Sequence, residues 1–510
     1  MKTSMRVRLR TAAAGMSALL SVLLVCAPPA SAQPDRFGAI DAYIRERMEA
    51  THTPGLSYAV VGPDGPIHRR SWGTDGRGDR VTPRTAFLWG SIAKPVTATA
   101  VMTLVQSGRL RPDDRVTDHL PEFRFGGAAH AAKVTIRHLL NQTAGLPAAA
   151  TAKVTDCLDA GCPRPAERVR ALDGVRPLGP PGTEYAYTSA NYLVLTAVVE
   201  AVTKRRYADY LREAVLAPAG MKGAIADAAS ARARRLAPGH QLLWGVPAAI
   251  ADGVDDSGAG YGYLGGDLDD LAALASFQLR NARNVLSAES VRLMRQEAKL
   301  HNGAGTGAGL GWRIGGLGAP LDGAVWHTGA TPGYSAMLFL LPEQNLAIVV
   351  QQNLHGLVHD GAIMHVGFGA ARLLAGGRPD GAPSASTYYL TVGATTALAV
   401  AMLLAAGRSA LLLRRPAPPA SRLRRTVLTG AWVLAGALPW IIAAPIVVPI
   451  GPRQSWTWIP DAFAAICVAA TAGAMTVILR LTLAFRSVTT IRPEAKRVSD
   501  HRPEPDRLPR

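Results

Sequence analysis

The spacing of apolar residues divides the chain into three regimes. At the amino end a basic stretch with Lys2, Arg6, Arg8 and Arg10 runs into an apolar segment from Met16 to Val25 and then Ala30-Ser31-Ala32. A basic head, a short apolar body and small residues at its end form the pattern of a secretory signal peptide, so residues 1–32 are expected to be removed and the mature chain to begin near Gln33. Cys26 ends the apolar run, but the bulky Val25 before it argues against a lipid-anchored cysteine. Residues 33–375 mix helical and strand periodicities. After a linker at 376–387 rich in Gly, Pro and Ser, the apolar segments near 388–407, 426–450 and 460–485 are each long enough to cross a hydrocarbon core of about 30 Å. Residues 486–510 are a basic tail.

Within the 33–375 domain, Phe37 to Met48 repeats at helical spacing, and Ser57 to Trp72 predicts two strands turned around Gly62-Pro63-Asp64-Gly65. Val325 to Gln351 predicts strand, turn at Pro342-Glu343-Gln344-Asn345, and strand, with a closing helix from Gly361 to Leu374. The two ends are therefore expected to build one antiparallel sheet. Helical patterns near 91–107, 135–141, 190–216 and 268–283 predict a mainly helical lobe beside it. No internal repeat is visible.

Charge follows the same partition. The formal net charge is +18, of which residues 1–32 supply +4, residues 387–510 supply +10 and the remainder only +4. Basicity is thus a matter of topology and anchoring at the membrane surface, and nucleic acid is not needed to explain it. Arg408, Arg414, Arg415, Arg422, Arg424 and Arg425 crowd the first connection between apolar segments, whereas the second has Arg453 alone beside Trp456 and Trp458. The positive-inside rule places the first connection and the tail in the cytoplasm and the second connection outside. The 33–375 domain then lies outside, in the periplasm or extracellular space, as the signal peptide independently requires. In that oxidising compartment Cys157 and Cys162, separated by a stretch containing Gly161, are expected to close a small disulfide loop. A metal site at this pair is the weaker alternative, because neighbouring histidines are lacking.

The chemistry centres on Ser91-Ile92-Ala93-Lys94. A serine hydroxyl is a poor nucleophile near neutral pH and needs a basic partner within hydrogen-bond reach, which a lysine one helical turn on can supply. Pro95 is tolerated only in the first turn of a helix, so the helix begins close to Ser91 and its amino terminus adds positive potential there. An isolated SxxK motif is common by chance, and a capped helix with a solvated lysine is its ordinary explanation. The flanking text narrows the choice. Phe87-Leu88-Trp89-Gly90 before Ser91, Val134-Thr135-Ile136-Arg137-His138-Leu139-Leu140, Pro180-Pro181-Gly182-Thr183-Glu184-Tyr185-Ala186-Tyr187, Gly265-Gly266, Gly309-Leu310-Gly311-Trp312 and His327-Thr328-Gly329-Ala330-Thr331-Pro332-Gly333 occur in order. Together they resemble the class C β-lactamase-related serine hydrolases, the S12 peptidase family, over roughly residues 36–375.

That resemblance implies an α/β (α+β) fold of the β-lactamase/transpeptidase type, an antiparallel sheet flanked by helices with a helical lobe, followed here by three transmembrane helices. It implies an acyl-enzyme on Ser91, with Lys94 and Tyr187 exchanging the proton and either of the two serving as base. A phenol near pH 10 becomes a base only if cations depress it, and Lys94 and a protonated His327 are the candidates. The oxyanion would be held by the backbone N–H groups of Ser91 and Ala330, and His327, Thr328 and Gly329 would line the substrate strand. No cofactor and no metal are implied. The implied partners are a small peptide or acyl-amide substrate and membrane lipid.

One departure carries information. The family usually has Tyr-x-Asn where this chain has Tyr187-Thr188-Ser189. A serine there, a signal peptide and three terminal membrane helices resemble the prodrug-activating D-asparaginyl peptidases, the group of the colibactin-maturation peptidase, which remove an N-acyl-D-asparagine cap from exported peptides. By that resemblance Ser189 helps bind the D-asparagine side chain; a structural role is the alternative. A β-lactamase or D,D-peptidase on cell-wall-like substrates, a broad esterase, and an acylated penicillin-type membrane sensor are the other readings, the last weakened by cytoplasmic parts too small for an effector domain. His355, His359 and His365 have the spacing of one zinc-protease class. Gly356 stands where the general-base glutamate would be, so packed or solvated histidines are expected instead.

The topology is testable directly. A reporter active only in the cytoplasm should be active when fused after Arg415 or at Arg510, and silent at Gly381 or Ser455. Activity at Gly381 would put the catalytic domain inside.

Overall fold

The computed structural model describes residues 36–159, 161–296, 299–301, 306–415 and 421–489. The expected signal peptide with Cys26, and the basic tail beyond Thr489, lie outside the described residues.

The two ends of the 33–375 domain meet in one sheet. Its strands run Gly65–Gly73, Gly55–Gly62, Leu346–Gln352, Tyr334–Leu341, Val325–Thr331, Arg313–Ile314, Thr306–Ala308 and Lys299–His301, every neighbouring pair antiparallel. Period-two alternation sends the two sets of side chains to different cores. Leu56, Tyr58, Val60, Met337, Phe339, Ile348 and Val350 face the terminal helices Arg36–Ala50 and Asp360–Leu374, where Ile40, Ile44 and Val366 meet them. Ala59, Val61, Ala336, Leu338, Leu340, Ala347 and Val349 face the other way, into the core shared with the middle of the chain. Burying such strands on both faces is what holds the amino-terminal hairpin to strands nearly three hundred residues later, as in the register Val60 opposite Ile348.

Three expectations are corrected. The Val325–Gln351 stretch holds three strands, since Pro332-Gly333 makes an additional turn with Gly333 at φ +75°. The strand Tyr334–Leu341 is buried along its whole length, so no polar alternation marks its start. The 190–216 helix is broken: Ala190–Thr203 ends at Lys204 in the left-handed region, and helix resumes at Tyr207. The helix expected near 268–283 is Leu268–Leu279 and lies against the sheet, with Ser276 Oγ donating to Gly62 O at 2.9 Å. The rest of the lobe is helical as expected, with the two-stranded ribbon Gly239–Leu243/Val246–Ala251 added.

Beyond the linker, Ser386–Leu413, Arg422–Ile450 and Pro460–Thr489 are helices, and each holds a stretch long and apolar enough to cross a membrane. The second and third touch through glycines: a β-carbon on Gly436 would meet Gly473 O at 2.6 Å. Small residues at such crossings let backbones pack closely where lipid gives no hydrophobic drive. The bundle also rests on the domain that precedes it. Tyr388 Oη donates to Asp461 Oδ2 at 2.7 Å and accepts from Gly245 N at 2.9 Å.

Candidate active site

Ser91 sits in a 3-10 turn, Gly90–Ile92, that feeds directly into the helix Ala93–Gln106, with Pro95 in its first turn as the sequence requires. Serine and lysine, three residues apart, share one face: Lys94 Nζ donates to Ser91 Oγ at 2.8 Å. The lysine is almost wholly buried, and its other hydrogen bonds go to Ser189 Oγ at 3.1 Å and to Tyr261 O at 2.8 Å. Tyr187 lies just before the Ala190–Thr203 helix and lines the same cavity as Ser91. Lys94 Nζ also lies 5.0 Å from the centre of the Tyr187 ring.

The strand Val325–Thr331 runs against the turn that carries Ser91. A β-carbon on Gly329 would collide with Trp89 O and Ser91 N, and one on Gly90, at φ +54°, would collide with Ala330 N. Glycine at both positions is what lets the backbones of Ser91 and Ala330 come together. Ser91, Tyr187, Ser189, Thr328, Gly329 and Ala330 line one cavity of about 260 Å³. The expected site residues are thus brought to one place; His327 stands beside them with its ring 6.2 Å from that of Tyr187, but it is buried, with Nδ1 2.6 Å from Thr328 O.

Electrostatics revises the expected cations. Burial, with Arg313 and Lys94 nearby, holds His327 well below the ordinary histidine value, so it is neutral and does not polarise Tyr187. The cation present is Arg313, whose guanidinium stacks 5.2 Å from the Tyr187 ring centre and 5.1 Å from that of Trp326. Sequence reasoning missed it. Its only signal was position, directly after Gly309-Leu310-Gly311-Trp312. Burial nonetheless pushes the Tyr187 phenol up, outweighing the Arg313 charge and the nearby Ser91 hydroxyl. The Lys94 amine moves the opposite way, well down, from burial first and Arg313 second. Of the two, lysine is the group driven toward the proton-accepting form at neutral pH.

Cys157 and Cys162 are joined as a disulfide, and the loop they close is braced from below. Arg168 makes a two-pronged pair with Asp255, at 2.8 and 2.7 Å, and Asp255 Oδ2 accepts from Cys157 N at 3.0 Å. His355, His359 and His365 are all buried, His365 Nε2 lying 3.0 Å from Asp380 O and His359 packing on the Tyr388 ring. Among the described residues no three metal-ligating side chains are grouped to hold an ion.

An antiparallel sheet between terminal helices and a helical lobe, with a serine–lysine turn under the third inner strand, is the fold of β-lactamases and penicillin-binding proteins. The chain belongs to the Beta-lactamase family, which it matches over residues 40–366. Members of this family are generally serine hydrolases. The chain is 32% identical over 338 residues to "Penicillin-binding protein 4" of Amycolatopsis lactamdurans, covering 61% of this chain and 85% of that one. It is 27% identical over 319 residues to "Protein flp" of Staphylococcus aureus (strain MW2), covering 62% of this chain and 63% of the relative, so it spans less than two thirds of that protein. In structure it resembles an octameric penicillin-binding protein homologue from Pyrococcus abyssi (TM-score 0.57, 23% identity, 67% of this chain and 78% of that one). It also resembles EstCE1, a hydrolase with promiscuous acyltransferase activity (TM-score 0.57, 20% identity, 66% and 98%). These two likenesses describe the fold.

A lysine base must be neutral to act, so kcat/KM should rise with pH and level off well below the titration of a free lysine. Removing the nearby cation in Arg313→Ala relaxes Lys94 upward, and the rising limb of the pH profile should move to higher pH. A limb that stays in place or moves to lower pH would take Arg313 out of the proton-transfer electrostatics.

Proposed function

We propose that this protein is a membrane-anchored serine hydrolase of the S12 type whose catalytic domain lies outside the cell membrane and which cleaves an amide through an acyl-enzyme on Ser91. The observation that carries the proposal is the lysine held 2.8 Å from the serine in a buried setting that disfavours its charge. Lys94 takes the Ser91 proton as the hydroxyl attacks the carbonyl, and the oxyanion is met by the N–H groups of Ser91 and Ala330. Tyr187, itself neutral, gives its proton to the leaving amine and is reprotonated by Lys94, so both groups return to their starting forms. Water then repeats the sequence on the acyl-enzyme. The three apolar helices support anchoring.

For substrate, we propose an exported peptide prodrug from which an N-acyl-D-asparagine cap is removed. Ser189 supports this by lining the cavity beside Ser91 while holding Lys94. A second reading, a penicillin-binding or D,D-peptidase activity, is favoured by the likeness to "Penicillin-binding protein 4".

Ser91→Ala should abolish both hydrolysis and labelling by a fluorophosphonate probe, and retained labelling would move the nucleophile elsewhere. Lys94→Ala and Tyr187→Phe should each lose about 100-fold or more in turnover, with non-additive effects in the double variant.

An N-acyl-D-asparaginyl amide should be cleaved well and its L-isomer poorly. Ser189→Ala should weaken transition-state binding by about 1–3 kcal/mol. Efficient cephalosporin turnover with no cleavage of the D-asparaginyl amide would favour the second reading instead, and equal rates on both isomers would favour a broad esterase.

A further inference from the structure

The cavity continues past Ser91 to a wall that the proton-transfer steps do not use. His355, just after the strand Leu346–Gln352, is 2% exposed and lines this wall with Leu357, Asp360 and Trp458. Among the described residues, neither of its ring nitrogens has a hydrogen-bond partner, and neither does Asp360 Oδ1. Buried polar atoms in folded proteins are nearly always paired, so two orphan nitrogens on a residue that lines an open cavity mark a place where something else supplies the bond. Asp360 Oδ1 lies 3.4 Å from Nδ1, near enough to favour the proton on that nitrogen though not aligned as a hydrogen bond. Burial holds the imidazole below the ordinary histidine value. It is then neutral, and with Nδ1 protonated Nε2 is an acceptor.

Trp458 closes the same wall, and it comes from the membrane region. It ends the short helix Pro452–Trp458 between the second and third apolar helices. Its ring meets that of His355 edge to face at 5.5 Å. The indole N–H is already committed, to Asp156 Oδ2 at 3.0 Å and Gln454 Oε1 at 3.1 Å. Gln454 Nε2 in turn donates to Thr155 O at 3.1 Å, and Arg453 pairs with Asp159 at 2.8 Å. The membrane connection therefore grips the loop carrying Thr155 and Asp156, both of which line the cavity. What Trp458 has left to offer a ligand is flat apolar surface.

We propose that His355 and Trp458 form a second substrate subsite, built jointly by the catalytic domain and the membrane connection, that accepts an N–H from an uncharged planar group such as a peptide unit flanking the scissile amide. It deepens the reading of Ser91 as nucleophile and rests on it.

The test uses the full-length protein in lipid nanodiscs and matched pairs of acyl-amide substrates, in which a peptide unit on either side of the scissile bond is replaced by its ester, oxygen for N–H. The wild type should favour the amide member of one pair at least tenfold in kcat/KM. His355→Phe, which keeps the ring and loses the acceptor, and Trp458→Ala should bring that ratio close to one; His355→Gln, which keeps an acceptor, should retain part of it. A wild-type ratio near one for both pairs overturns the proposal without any variant. So does a ratio that survives in His355→Phe, or a loss shared equally by both members. Fluorophosphonate labelling of Ser91 in the same preparations separates the two failures: labelled enzyme without discrimination sinks the subsite alone, whereas turnover that persists in Ser91→Ala sinks the hydrolase reading beneath it.

Discussion

The site depends on keeping a lysine dry. Lys94 is held by a serine hydroxyl, a second serine hydroxyl and a carbonyl, with no carboxylate bonded to it among the described residues. A paired ammonium would be stable and useless as a base; an unpaired one in low dielectric gives up its proton. The cost is tolerable only because the helix bearing Lys94 is locked on several sides. Thr97 donates to Gly260 O at 2.7 Å, and Ile92, Val96 and Val101 sit in the main core. Arg313 adds a fixed positive charge and sharpens the effect on Lys94 while partly offsetting the opposite burial effect on Tyr187.

The sheet supplies the other half of the arrangement. Its central strands are buried on both faces, so their register cannot slip without turning core residues outward, and that rigidity fixes where Gly329 and Ala330 meet the turn that carries Ser91. The oxyanion donors proposed for catalysis thus come from two chain segments whose separation is set by missing side chains, at Gly90 and Gly329. A site assembled by backbone contact is insensitive to side-chain rotamers, which suits a reaction that must bind the same oxygen twice.

Much of this was legible in the chain itself, and the parts that were not share a cause. Ser91, Lys94 and Pro95 are neighbours, so their geometry follows from helix periodicity alone; the single antiparallel sheet follows from the strand and turn patterns at both ends. Arg313 lies in a two-residue strand within a glycine-rich stretch, where no periodicity exists to place it. The neutrality of His327 is a property of what surrounds it in three dimensions, invisible in the triplet His327-Thr328-Gly329. The turn at Pro332-Gly333 was hidden because the strand after it is apolar on both faces. Trp458 reads in sequence as an aromatic at a membrane interface, and only its partners Asp156 and His355 show that it also faces the cavity.

The grip of Pro452–Trp458 on the Thr155–Asp159 loop has a geometric consequence. A domain joined to its bundle by the 376–387 linker alone would be free to tumble. Here the chain leaves the domain through that linker, touches it again where Tyr388 accepts from Gly245 N, and returns to it between the second and third helices, so that the attachment is made at several points. With the three apolar helices in a bilayer, as proposed, these attachments would remove the rotation that one permits, and the mouth of the cavity would keep a set height and bearing above the bilayer plane. Molecules confined to that plane would meet it by sliding sideways, in two dimensions, while those dissolved in the surrounding water would have to find it in three.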